Sequence, residues 1–192
     1  LSLGKLRSPE AGELLRMAAQ RESFTDVIRQ HAYRGLGESR QESAVPFLLE
    51  ATAWGRVTQG RRAAVGALAM LMRGRRDREA REVREEVERL LEDKDFRVQS
   101  AAVEGLAVIG DVASVSVLRR MTERELDGRL VRRGREVIRD LQEGSAAGEQ
   151  LSRLRDELEE LRATTGQLRD RLDALERGQS EDDGSAAPAP VA

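Results

Sequence analysis

The chain contains no cysteine, one histidine, four prolines and only five aromatic residues among 192. Without cysteine it has no disulfide framework, no thiol nucleophile and no thiolate metal site. With His31 the sole imidazole and no His-Glu-x-x-His segment, the spaced ligands of a zinc centre are not available, and Ser-His-Asp chemistry has no supporting signature. Leu3-Gly4-Lys5-Leu6 and Gly35-Leu-Gly37 both lack the context of a phosphate-binding loop. The sequence therefore assigns no catalytic, cofactor-binding or metal-ligating residue and predicts a chain that is not itself an enzyme. His31 is expected to hold a hydrogen-bonded structural place. Paired acids such as Glu85-Glu86, Glu159-Glu160 and Asp182-Asp183 read as solvated surface.

Long apolar runs are missing too. The longest, Ala63 to Met72, is far short of the roughly 20 residues that cross a bilayer, so no membrane span is expected. No charged-then-apolar leader is visible, which points to a cytoplasmic location, and an opening on Leu1 rather than Met suggests a piece of something longer. Lysine is nearly absent. Only Lys5 and Lys94 are lysines among 33 basic residues, a bias attributed to genome composition rather than to anion recognition.

What the chain has in abundance is charge (35 %) and small or aliphatic residues, a composition suited to extended helices. Up to Gly144, 27 basic residues face 24 acids; after it, 6 face 11. Almost no stretch alternates strictly, so the fold class is all-α. Ser8-Pro9-Glu10 opens a helix to about Gln20, and Ser23 with Asp26 resembles a capping box that opens the next, to about Leu36. Further helices are predicted at about 43–54, 60–73, 77–91, 95–109, 112–126 and 128–143, with Gly55, Gly110 and Gly144 as left-handed C-caps.

These helices repeat. Ala32-Tyr-Arg-Gly-Leu36, Ala64-Val-Gly-Ala-Leu68, Ala102-Val-Glu-Gly-Leu106 and Gly134-Arg-Glu-Val-Ile138 align at offsets of 32, 38 and 32 residues. In each, a small residue lies one turn before a large aliphatic one, which lets a neighbouring helix approach closely. Ala44-Val-Pro-Phe-Leu-Leu and Ser114-Val-Ser-Val-Leu-Arg align at an offset of 70, in step with that period. Helix pairs of this length, each unable to bury its apolar face alone, are the mark of an α-solenoid, and Val98-Gln-x-Ala-Ala102 with Gly105-Leu-x-x-Ile-Gly-Asp111 resembles HEAT repeats.

Residues 1–144 are thus expected to form a HEAT-like α-α superhelix and 145–148 a linker, followed by a coiled-coil helix over 149–177. In that helix Leu151, Leu154, Leu158, Leu161, Leu168, Leu172 and Leu175 keep a 3-4 spacing broken only at Thr165. Homodimerisation through this seam is expected, with Glu157 facing Arg162 and Arg171 facing Glu176 in a parallel pair. Residues 178–192 read as a disordered tail and a true C-terminus. Arginines of Arg56 to Arg78, and Arg129, Arg132, Arg133, Arg135 and Arg139, offer a track for a phosphate backbone. The modest net charge and the lack of aromatic stacking platforms argue against a nucleic-acid partner.

Taken together, Glu22-Ser-Phe-Thr-Asp-Val-Ile-Arg29, Ala44-Val-Pro-Phe-Leu-Leu-Glu50, Thr52-x-Trp-Gly55, Arg61-Arg-Ala-Ala64 and Asp93-x-Asp-Phe-Arg-Val98 resemble the C-terminal HEAT-like region of bacterial aminopeptidase N type zinc metallopeptidases. The pattern departs at Ala51 and Trp54, where Trp and Tyr are expected. The resemblance implies an upstream catalytic domain carrying zinc, with this region packed on it and walling a chamber for peptide substrates. None of that family's catalytic motifs maps onto a residue here. The alternative is a stand-alone HEAT scaffold that binds another protein through the face formed by one helix of each pair.

Overall fold

The structure, a computed structural model, describes the backbone of residues 2–6 and 8–183, with side chains over 3–6, 8–167 and Arg169. In chain order the helices are α1 (Ser2–Lys5), α2 (Pro9–Ala19), α3 (Val27–Ser39), α4 (Val45–Thr52), α5 (Thr58–Met72), α6 (Arg78–Arg89), α7 (Phe96–Ile109), α8 (Val115–Arg124) and α9 (Gly128–Asp183). No strand occurs among the described residues. The described chain divides into two compact units, the first ending at Ser145 and the second beginning at Ala146.

Local chemistry sets the helix ends. The Ser8 hydroxyl accepts from the Ala11 N–H (3.3 Å) with Pro9 in the first turn, Asp77 accepts from the Ala80 N–H (3.0 Å), and Asp95 accepts from the Arg97 N–H (2.8 Å). Gly55 (φ +87°) and Gly110 (φ +72°) take the left-handed conformation expected of them. The expected capping box at Ser23 takes another form. Thr25 (φ +50°) and Asp26 (φ +62°) are themselves left-handed, the regular helix begins at Val27, and the Ser23 hydroxyl accepts instead from the Ile28 N–H.

Within the first unit the odd-numbered helices stack side by side, α1 on α3, α3 on α5 and α5 on α7, and the even-numbered helices fold back against them. Glycines make this stacking possible. A Cβ on Gly4 would stand 2.5 Å from the Gly35 carbonyl oxygen, one on Gly37 2.8 Å from Cα of Ala67, and one on Gly105 3.0 Å from a Val65 methyl. On α9, a Cβ at Gly134 would strike Thr122 of α8 at 2.6 Å. Beside these contacts Leu36, Leu68 and Leu106 are fully buried, with Leu48 and Leu118 facing them from α4 and α8. The small and large residues aligned in the sequence are therefore the seam of the core. The architecture is the HEAT-like helical superhelix that the period predicts.

α9 differs from expectation. The C-cap expected at Gly144, the linker at residues 145–148 and the start of the tail at residue 178 all fall within α9, which runs from Gly128 to Asp183. A glycine inside a helix costs only about 1 kcal/mol, the segment has no proline, and the Ala146-Ala147 pair favours helix, so nothing there interrupts the hydrogen-bond ladder. Residues 184–192, most of the expected tail, lie outside the described part.

Candidate interaction surfaces

The links between α2 and α3, α4 and α5, α6 and α7, and α8 and α9 lie along one edge of the first unit, and named contacts join them in series. The Arg61 guanidinium, in the first turn of α5, is bonded to Asp93 in the α6–α7 link and donates to the Thr52 carbonyl (2.8 Å). The Thr58 hydroxyl donates to Asp95 (2.6 Å). Arg61 and Lys94 stand 5.7 and 5.6 Å from the centre of the Trp54 ring, and Arg129 at the start of α9 stands 5.1 Å from that of Phe96. The Arg61 bonds hold the Asp93 carboxyl below its ordinary range, and the Thr58 hydroxyl does the same for Asp95.

Three of these links present a large apolar side chain to water, and at the fourth Phe96, the first residue of α7, is partly exposed. Phe24 is 92 % exposed, Trp54 68 %, Phe96 37 % and Leu126 96 %. Three of the chain's five aromatic residues thus sit on one edge, although burial is their ordinary fate. Between the first two links opens a cleft of about 590 Å³. Tyr33 and Phe47, packed edge to face at 5.8 Å, form its apolar wall with Ala51 and Val57, and burial pushes the Tyr33 hydroxyl up from its ordinary value.

The charges lining the cleft are paired. Asp26 is buried, with one carboxylate oxygen accepting from Arg29 (2.5 Å), while Arg29 also donates to the Ala19 carbonyl (2.8 Å). The other Asp26 oxygen has no hydrogen-bond partner and lies against the first turn of α5, 2.8 Å from where a Gly60 Cβ would stand. There the positive end of the α5 dipole offsets the loss of water. Arg56 pairs with Glu50 (2.5 Å).

The arginines read as a phosphate track are largely occupied within the chain. Arg75 binds Glu42, Asp77 and Glu79, Arg78 binds Glu82, and the Arg76 guanidinium donates to the Gly110 carbonyl. Arg129 binds Asp127, and Arg133 binds Glu104 through two hydrogen bonds as well as Glu136. His31 is exposed on α3, and no hydrogen bond involves its side chain among those described, contrary to the structural role expected for it. No group of three or more His, Asp or Glu residues placed to hold a metal ion occurs among the described residues, and no described helix is long and apolar enough to cross a membrane.

In the second unit Leu151, Leu154, Leu158 and Leu161 are 46–66 % exposed along α9. The side chains of Leu168, Leu172 and Leu175, and the Arg171–Glu176 pair, lie outside the described residues.

A stack of antiparallel helix pairs whose successive first helices meet at glycines is a HEAT-like helical architecture. The family profile described as HEAT repeats matches residues 57–139. Among solved structures, the chain is similar to one described as the complex of CpcE and CpcF of phycocyanin lyase from Nostoc sp. PCC7120, with a TM-score of 0.54 and 20 % identity. The match covers 78 % of this chain and 60 % of that one, so the chain spans less than two thirds of its neighbour's length. No curated protein matches the sequence.

These similarities overturn the resemblance to aminopeptidase N type zinc peptidases, and the catalytic domain, zinc and peptide substrate that it implied lose their support. The segments that carried that resemblance build the HEAT stack itself. Asp93 and Asp95 anchor the start of α7, Val98 is fully buried, Pro46 lies in the first turn of α4, and Ala44, Val45 and Leu48 fill the core. Their place in the stack accounts for them without an adjoining peptidase domain.

Proposed function

We propose that this chain is a non-catalytic HEAT-repeat scaffold that binds a protein partner along the edge formed by its inter-helix links, and that it pairs with a second copy through α9. The observation that carries the reading is the row of Phe24, Trp54 and Leu126, exposed on three of the links, with the partly exposed Phe96 at the start of α7 standing at the fourth. Exposed aromatics beside arginine, next to a cleft that admits a side chain, are the composition of an interface hot spot. The neighbour of similar fold is itself half of a two-protein complex, which supports the reading, as does the intramolecular pairing of several of the arginines that a nucleic-acid backbone would need.

For self-association the supporting observation is the stripe of four exposed leucines at coiled-coil spacing, with Glu157 and Arg162 both exposed beside it. The test of the scaffold reading is site-specific cross-linking from a photoreactive residue placed at Phe24. One discrete partner adduct is expected, and Trp54→Ala should abolish it while circular dichroism shows the helical fold retained. Adduct formation indifferent to Trp54→Ala would remove this edge from consideration.

A further inference from the structure

Gly37 and Gly105 are explained by the helix that presses against each, but Gly66, in the middle of α5, is not. A Cβ there would meet nothing within 4 Å, and the residue is exposed. Glycine is poorly suited to a helix interior, and no contact among the described residues requires it at this position. What it does is deepen a groove. Ala63, Gly66 and Met70 lie on one face of α5, and with Val27 of α3 and Val108 of α7 they floor a depression of about 470 Å³ that continues toward α7 in a second one of about 240 Å³.

The rims are basic and unneutralised. Arg62 donates only to the Gln59 side chain, and neither Arg62 nor Arg34 has an ion-pair partner among the described residues. The nearest acid lining the continuation, Glu104, already accepts two hydrogen bonds from Arg133, which hold its carboxyl below the ordinary range. The groove therefore offers an apolar floor under two free guanidinium groups and lacks a free carboxylate to answer them.

We infer that this groove is a second docking site, beyond the aromatic edge, for an acidic amphipathic protein segment that lays an aliphatic side chain over Gly66 and carboxylates against Arg34 and Arg62. Guanidinium groups bind carboxylates through paired hydrogen bonds, and the absent side chain at Gly66 lets a foreign residue reach the α5 backbone. A single-stranded nucleic acid fits less well, because the floor has no aromatic ring on which a base would stack.

The test uses the full chain and three labelled probes in fluorescence anisotropy. One is a peptide of about four helical turns with leucines on one face and glutamates beside them. The second has lysine for glutamate, and the third is a single-stranded oligonucleotide. The glutamate peptide should bind at least about tenfold more tightly than the lysine peptide. Arg34→Glu with Arg62→Glu should invert that preference, and Gly66→Leu should weaken binding about tenfold or more with the fold intact by circular dichroism. Trp54→Ala should leave it unchanged, which separates this groove from the edge. Equal binding of the two peptides, binding that survives the charge reversal, no peptide binding, or an oligonucleotide that competes and ignores Gly66→Leu would each overturn the inference, while the edge stands or falls on its own cross-linking.

Discussion

Arg61 and Asp93 face each other across the boundary between two repeats, joined by two hydrogen bonds, with side chains only 4 % and 7 % exposed. The pair fastens the first turn of α5 to the residues that start α7, and Arg61 adds the Thr52 carbonyl from the preceding link. One side chain thus ties three consecutive segments.

Removing either partner leaves the other as a buried, uncompensated charge. Arg61→Ala or Asp93→Ala should each destabilise the first unit by about 3–5 kcal/mol. The double variant Arg61→Ala, Asp93→Ala should lose less than the sum of the two, a non-additivity that denaturant titration of all three proteins measures.

Two glycines of the solenoid should answer oppositely to the same change. Gly37→Ala drives a methyl to within 2.8 Å of the Ala67 backbone and should cost about 1–3 kcal/mol. Gly66→Ala meets open space inside a helix and should stabilise by about 0.5–1 kcal/mol. Thermal melts of the two variants are the comparison to make.

Acid should weaken the fold through a small set of carboxylates. Hydrogen bonds from Arg61, Thr58 and Arg133 hold Asp93, Asp95 and Glu104 below their ordinary values of 3.8, 3.8 and 4.5, and Arg129 holds Asp127 down to about 2. Because these groups bind protons less readily when folded, their contribution is complete above the ordinary values and is lost as pH falls through the depressed ones. The melting temperature should therefore be level from neutral pH down to about 5 and should drop between about 4 and 2. Asp93→Asn should flatten that drop, and an unchanged profile in this variant would remove the Arg61 pair as its cause.

Self-association should depend on the leucine stripe of α9. Leu154→Asp with Leu158→Asp, or truncation after Ser145, should convert a dimer to a monomer in light scattering without altering the melting of the first unit. Both leucines are already exposed, so the substitutions cost the single chain little.

The solenoid was legible in the sequence because its core is periodic. Ala64 with Leu68 and Ala102 with Leu106 repeat the same small-then-large step, and that step is what the stacking needs. The edge row was not legible. Trp54 and Leu126 read as the last residues of helices, and Phe24 as part of a cap, because the row exists only once links some tens of residues apart are brought together. The unusual start of α3 was hidden for a related reason: Ser23 and Asp26 have capping-box spacing, yet Asp26 turns toward Arg29 and the first turn of α5, a tertiary partner that no local pattern announces. Arg61 was counted among candidate phosphate contacts, and only its burial beside Asp93 reveals what it holds.

The ordering of α3, α5 and α7 also shapes how the molecule comes apart. A row whose members lean only on those next to them has no single keystone, so heat or denaturant will loosen it by fraying at an end rather than by collapsing everywhere at once. α5, flanked on both sides and clasped at its first turn, is where amide protons should linger longest against deuterium.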